Sequence, residues 1–343
     1  MRNRYRFGLA GILFTAIVSQ WAGAQEELSP PVANSELQTP SVTNAGGRAV
    51  AGWAIVRYSV LENGRTANVR VLDIAPPGAD WTPVIEAVER WRFTPATEDG
   101  SEIDWHNNET IVSFASPGDT AETQEDFAIT YARIRGMVED EDFAGAKTAN
   151  QTLLRDLATS RAQIGLALAQ AAIIDFSLGD LHSALRFARM ATDTRVGALR
   201  EYELLIALDL RLRLESEFGR TMDALDTYTY LSGGFAEDEE NPFAILGNTL
   251  QDLWDNSEIL EVHGYVEDEP WHFDVHRRMF TIASIEGSIN SIDAECERRL
   301  LSLEYQPDVE WGLPDSFGDC AIYISAEPGT SFTFYEMLPP NEQ

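Results

Sequence analysis

His272, Asp274 and His276 alternate along the chain. In an extended strand they share one face, and two imidazoles with a carboxylate are a set that can hold zinc. The intervening Trp271, Phe273 and Val275 give a simpler account, a half-buried strand with its apolar face turned inward and its polar face in water. That pattern needs no metal, and neither a metal nor another cofactor is expected. Cys296 and Cys320 are the chain's two cysteines. Neither stands in a Cys-x-x-Cys context, so in an exported chain they are expected to form a structural disulfide worth about 3 kcal/mol by restriction of the unfolded chain. The sequence holds no Ser-His-Asp or Cys-His motif and no glycine-rich phosphate loop, and its many carboxylates show no pairing legible without a fold. No catalytic residue is assigned.

The start of the chain carries an address. Arg2, Arg4 and Arg6 precede an apolar run from Phe7 to Val18, and Ala22-Gly23-Ala24 precedes Gln25, the layout of a secretory signal peptide over residues 1–24. The run is short for a bilayer span, and no cysteine follows to carry a lipid. A periplasmic location in a Gram-negative-type envelope is expected, with contact to a membrane only if the segment is retained. The formal charge of -31 becomes -34 once those arginines leave, and such a chain repels nucleic acid. Residues 25–48 hold Pro30, Pro31 and Pro40 among polar residues and read as a flexible lead-in.

Residues 49–116 form the first folded unit. Apolar residues alternate from Trp53 to Val60 and again from Ala67 to Ile74 around a turn at Asn63-Gly64, predicting a hairpin with one buried face. Asp80, Pro83 and the spacing of Trp81, Val84, Ile85, Val88 and Trp91 predict a helix. A last strand runs from Ile103 to Phe114, irregular around Asn107 and Asn108. Within this unit, Ala87-Val88-Glu89-Arg90-Trp91-Arg92-Phe93-Thr94-Pro95-Ala96 followed by Asp99-Gly100 resembles the C-terminal domain of the TonB family. The resemblance implies a small antiparallel sheet packed on a helix, whose last strand offers its edge to an extended peptide of an outer-membrane receptor.

From residue 126 to residue 232 the pattern is helical. Ala146, Ala184 and Ala224 recur 38 and 40 residues apart, each following a turn, and small residues there let paired helices approach closely. Leu178-Gly179-Asp180-Leu181-His182-Ser183-Ala184-Leu185 resembles a tetratricopeptide turn, although the spacing exceeds the usual repeat of about 34 residues. After an acidic run at Glu237, residues 242–343 begin with one helix and continue as short β segments, expected to form a sandwich containing the disulfide. The fold class is therefore α+β multidomain: a TonB-like sheet and helix, a helical-hairpin array and a β-rich tail.

These readings point to an interaction protein and not to an enzyme. The main chain around Thr110, Ile111, Val112, Ser113 and Phe114 is expected to pair with a protein partner in the envelope, an outer-membrane receptor by the resemblance, with Trp53, Tyr58 and Trp105 as apolar anchors. Trp91 is expected in the unit's own core. The helical array is expected to dock a second protein. A membrane-anchored energy transducer is the alternative, against which stand the short lead-in and the lack of any histidine before His106; an envelope hydrolase is a further one.

Overall fold

The computed structural model describes residues 28–34, 37, 40–43, 47, 49–114, 121–233, 241–267 and 269–339. The expected signal peptide lies outside them. Among the described residues no helix is long and apolar enough to cross a membrane. The chain is an α+β protein of three units.

The first unit holds β1 (Leu28–Ser29), β2 (Val32–Ala33), β3 (Gly52–Val60), β4 (Thr66–Ala75), α1 (Thr82–Glu89), β5 (Phe93–Thr94), β6 (Ala96–Glu98), β7 (Ser101–Ile103) and β8 (Trp105–Phe114). Its main sheet has the antiparallel order β4-β3-β8. Gly64 turns the hairpin at φ 74°, with Phe93 main chain packed where a side chain would stand, so only glycine fits. Asp80 Oδ1 accepts from Thr82 N at 3.0 Å at the start of α1, and Pro83 sits in the first turn, where a missing N–H costs nothing.

Two expectations need correction here. The β3 strand of the hairpin is buried on both faces, whereas β4 is mostly half-buried. Ala54, Val56, Tyr58 and Val60 pack with Val84, Val88 and Trp91, while Trp53 on the opposite face packs with Ile134, Ala146 and Ile164 of the helical unit. The lead-in is also docked where it is described: β1 pairs with β6, β2 pairs with β5, and Val42 and Val50 enter the core.

The helical unit runs through α2 (Ala121–Glu139), α3 (Phe143–Thr152), α4 (Arg161–Ser177), α5 (Leu181–Thr192), α6 (Glu201–Glu217), α7 (Thr221–Ser232) and α8 (Ala244–Asn256). It begins at Ala121, ahead of residue 126 where the helical pattern was expected to start. The three helix pairs share one turn geometry. Glu141, Gly179 and Gly219 each have positive φ, and the next residue's N–H returns to the preceding helix: Asp142 to Met137 O at 2.8 Å, Asp180 to Asp175 O at 2.9 Å, Arg220 to Glu215 O at 2.8 Å. This is the Schellman closure, which satisfies carbonyls the helix end leaves free. Ala146, Ala184 and Ala224 are all fully buried, as close helix approach requires.

The tail is a sandwich of two four-stranded sheets built from β9 (Ile259–Tyr265), β10 (Trp271–Val275), β11 (Met279–Glu286), β12 (Ile289–Cys296), β13 (Arg299–Leu303), β14 (Trp311–Gly312), β15 (Cys320–Ala326) and β16 (Ser331–Met337). The orders are β10-β15-β12-β13 and β14-β11-β16-β9. Both sheets contribute to one core, in which Phe273, Ile292 and Ile324 meet Val262, Phe280 and Phe334. The run from Trp271 to Ile282, expected as a single strand, is two strands in different sheets. The break is fixed by buried Glu336, whose carboxylate accepts from His276 N at 2.7 Å and Arg277 N at 3.1 Å. Cys296 and Cys320 stand opposite each other on β12 and β15 and form a disulfide, which therefore ties neighbouring strands of one sheet. Reductant is expected to lower the melting temperature of the tail and to leave the first unit unchanged; identical calorimetric traces with and without reductant would speak against a stabilising role.

Candidate functional site

β8 is the outer strand of its sheet. Near its start His106 N donates to Glu297 O at 2.6 Å, so the turn between β12 and β13 covers that end. Asn107 then takes φ 55°, and the register with β3 slips between Tyr58 and Val60, a bulge that ends the covered section. Beyond it, among the described residues, no strand pairs with the outer side of β8. Glu109 is exposed as a residue although its side chain is only 26% accessible, so much of that exposure is main chain. An edge of unpaired N–H and C=O groups is a template for another strand.

Thr110, Ile111, Val112, Ser113 and Phe114 lie together on this edge. Val112 and Phe114 are buried toward α1 and Ile111 packs against the helices, so the edge offers main chain more than side chains. Trp53, Tyr58 and Trp105 do not serve as the expected anchors, because all three are buried. Trp53 is sealed between sheet and helices. Tyr58 lies edge-on to Trp91 with ring centroids 5.7 Å apart, and burial pushes its hydroxyl pKa up to about 12. Trp91 is in the core of its own unit.

The second feature is a cleft of about 520 Å³ where the three units meet. Arg57, on β3, sits at this junction. It donates to Glu109 Oε2 at 2.9 Å, to Asp274 Oδ1 at 2.6 Å and to the Tyr323 hydroxyl at 3.0 Å, joining the first unit to the tail. Burial lowers its pKa, but Asp274, Tyr323 and Glu109 outweigh this and the net shift is upward. Two further pairs tie the helices to the first unit. Arg186 donates to Asp73 at 2.8 Å, and Arg195 NH1 donates to Glu109 Oε1 at 2.9 Å. Deeper in the wall, Arg211 and Arg220 pair with Glu215 and Asp223, and Arg189 lies beside them.

His272 and Asp274 face this cleft, so the polar side of β10, expected in open water, is turned toward the other units. His276 points elsewhere, its ring 6.3 Å from that of Trp254. Burial pushes the His272 pKa down to about 3, helped by Arg57, Arg220 and Arg189. The folded ring is thus neutral where the unfolded one, near 6.5, is protonated. The stability associated with it is fully present above the unfolded value and is lost as pH falls from there toward the folded value. His272→Gln is expected to flatten the acid side of the stability curve in that window, as followed by urea unfolding at stepped pH; an unchanged slope would contradict the neutral assignment.

The arginines of the cleft were not among the residues singled out from sequence. Arg57 carried a usable signal, a charge inside an otherwise apolar strand. Arg186 and Arg189 lie among the polar residues of an amphipathic helix, where a charge ordinarily means solvent. No protein-family model matches the chain, and no curated protein sequence matches it.

Proposed function

We propose that the chain is a soluble periplasmic adaptor that takes an extended segment of an envelope protein onto the outer edge of β8, while its helical hairpins dock a second protein. The observation that carries this reading is the unpaired main chain of β8 beyond the Asn107 bulge. The side chains beneath that strand are held from both sides, so the edge is fixed before a partner arrives and little ordering entropy is lost on binding. Strand addition draws affinity from main-chain hydrogen bonds and selects partners by alternate side chains. Exposed Tyr202, Leu205 and Ile206 on α6 support the second contact, and the signal-like first residues support the location.

The test is a set of proline substitutions. Extended peptides selected from a library for binding to the full chain are measured against Ile111→Pro, Val112→Pro and Ser113→Pro, each checked for native melting. At least one substitution is expected to weaken binding tenfold or more, because proline removes a donor from whichever amide faces the partner, a loss of about 1.4 kcal/mol or more. Equal affinity for all three folded variants would overturn strand addition at this edge.

A further inference from the structure

Arg189 belongs to a set of charges that does not balance. Fully buried Glu215 accepts from Arg211 Nε at 2.8 Å and from the Thr227 hydroxyl at 2.7 Å. Asp223 accepts from Arg220 Nε at 2.6 Å. Arg189 approaches the same two carboxylates only at 3.6 Å and 3.5 Å. Three guanidinium groups thus share two carboxylates. Arg189 is the one held by ion pairs alone: among the described residues its guanidinium makes no hydrogen bond, and its side chain is 31% accessible in the wall of the cleft. A half-enclosed guanidinium with unused donors is costly unless an acceptor arrives.

The neighbouring network runs the other way, with Arg57 and Arg195 facing Glu109, Asp193 and Asp274. Of its acids the Asp274 side chain is 47% accessible, that of Glu109 26% and that of Asp193 10%, so water screens Asp274 most strongly. His272 reports the resulting field, because its pKa is lowered by burial and by Arg57, Arg220 and Arg189, against a smaller opposing effect of Asp274. The rest of the wall is amphipathic. Tyr230 and Trp271 supply apolar surface, with Leu185 and Met190 buried behind the lining, and Asp226, Glu267 and Glu269 add negative charge. Those acids repel a doubly charged phosphate more than a singly charged carboxylate, and a planar carboxylate matches the fork of a guanidinium.

We propose that this cleft binds a small organic carboxylate, its head group held by Arg189 and its apolar body lying against Tyr230 and Trp271. The site is separate from the β8 edge and does not depend on strand addition. The test is calorimetric titration of the full chain with 3-phenylpropionate, with 3-phenylpropionamide as the neutral match and inorganic phosphate as the compact anion. The carboxylate is expected to bind, the amide and phosphate much more weakly. Arg189→Gln, in a chain that still unfolds cooperatively, is expected to weaken carboxylate binding about tenfold or more. Imidazole NMR gives a second reading in the unmodified chain: bound carboxylate raises the pH at which His272 protonates, and the amide does not. Equal binding of amide or phosphate, undiminished binding by a folded Arg189→Gln chain, or neither heat nor a His272 shift with the carboxylate would overturn the proposal.

Discussion

Trp53→Ala is expected to destabilise the chain by roughly 3–5 kcal/mol, the range for removing a large aromatic from a close-packed core. Trp53 is fully buried, and its neighbours include Phe127, Ile134, Ala146 and Ile164. The loss therefore falls on the seam between the first sheet and the helices. Denaturant unfolding would measure it. The pattern should be distinctive, since α1 packs through Val84 and Val88 on the other face of the sheet and should retain its protection from hydrogen exchange. A loss below about 1 kcal/mol, the size of an ordinary surface change, would mean that the two units do not share this core.

The second large effect belongs to Arg57. Arg57→Met is expected to cost about 3 kcal/mol, the lower end of the range for breaking a buried ion pair. The lower end applies because the partners are unequal: the Arg57 side chain is 5% accessible, but that of Asp274 is 47%. Once unpaired, Asp274 regains water, whereas the Tyr323 hydroxyl and Glu109 lose a donor in a more enclosed place. Tyr323, whose own pKa burial raises, is buried on β15 and keeps the guanidinium of Arg70, 4.0 Å from its ring centroid, and the stacked ring of His272, neither of which replaces the lost hydrogen bond. Urea unfolding of the variant checks the magnitude. A change within about 0.5 kcal/mol would place Arg57 among solvated surface pairs, whose contribution is small.

Most of the local structure was legible in the sequence because it depends on neighbours in the chain. The helical turns were found from Gly179, Gly219 and the alanines, and Glu141 fills the same left-handed position without glycine, which is why the first turn was the least conspicuous. The strands of the tail followed from alternation and turn residues. The relations between units were not legible. Alternation in β3 was read as one buried face, and Trp53 on the second face was expected to serve as an anchor for a partner. The helices covering it begin after a polar stretch, and periodicity says nothing of which unit folds onto which. The cleft was hidden for the same reason: its arginines come from β3, α5, the loop after α5, α6 and the turn before α7, and apart from Arg57 each taken alone reads as a solvated residue. The edge of β8 was legible through motif resemblance, although Asn107 gave the only local sign of where its free part begins.

Strand addition at β8 is tested most directly by amide hydrogen exchange, resolved by residue, on the full chain with and without a peptide selected for binding. Bound peptide is expected to slow exchange at alternate amides between Thr110 and Phe114, because every second N–H of an edge strand points outward. The β3 amides already paired with β8 should change little. Unchanged exchange along β8, with protection gained elsewhere on the chain, would contradict the account.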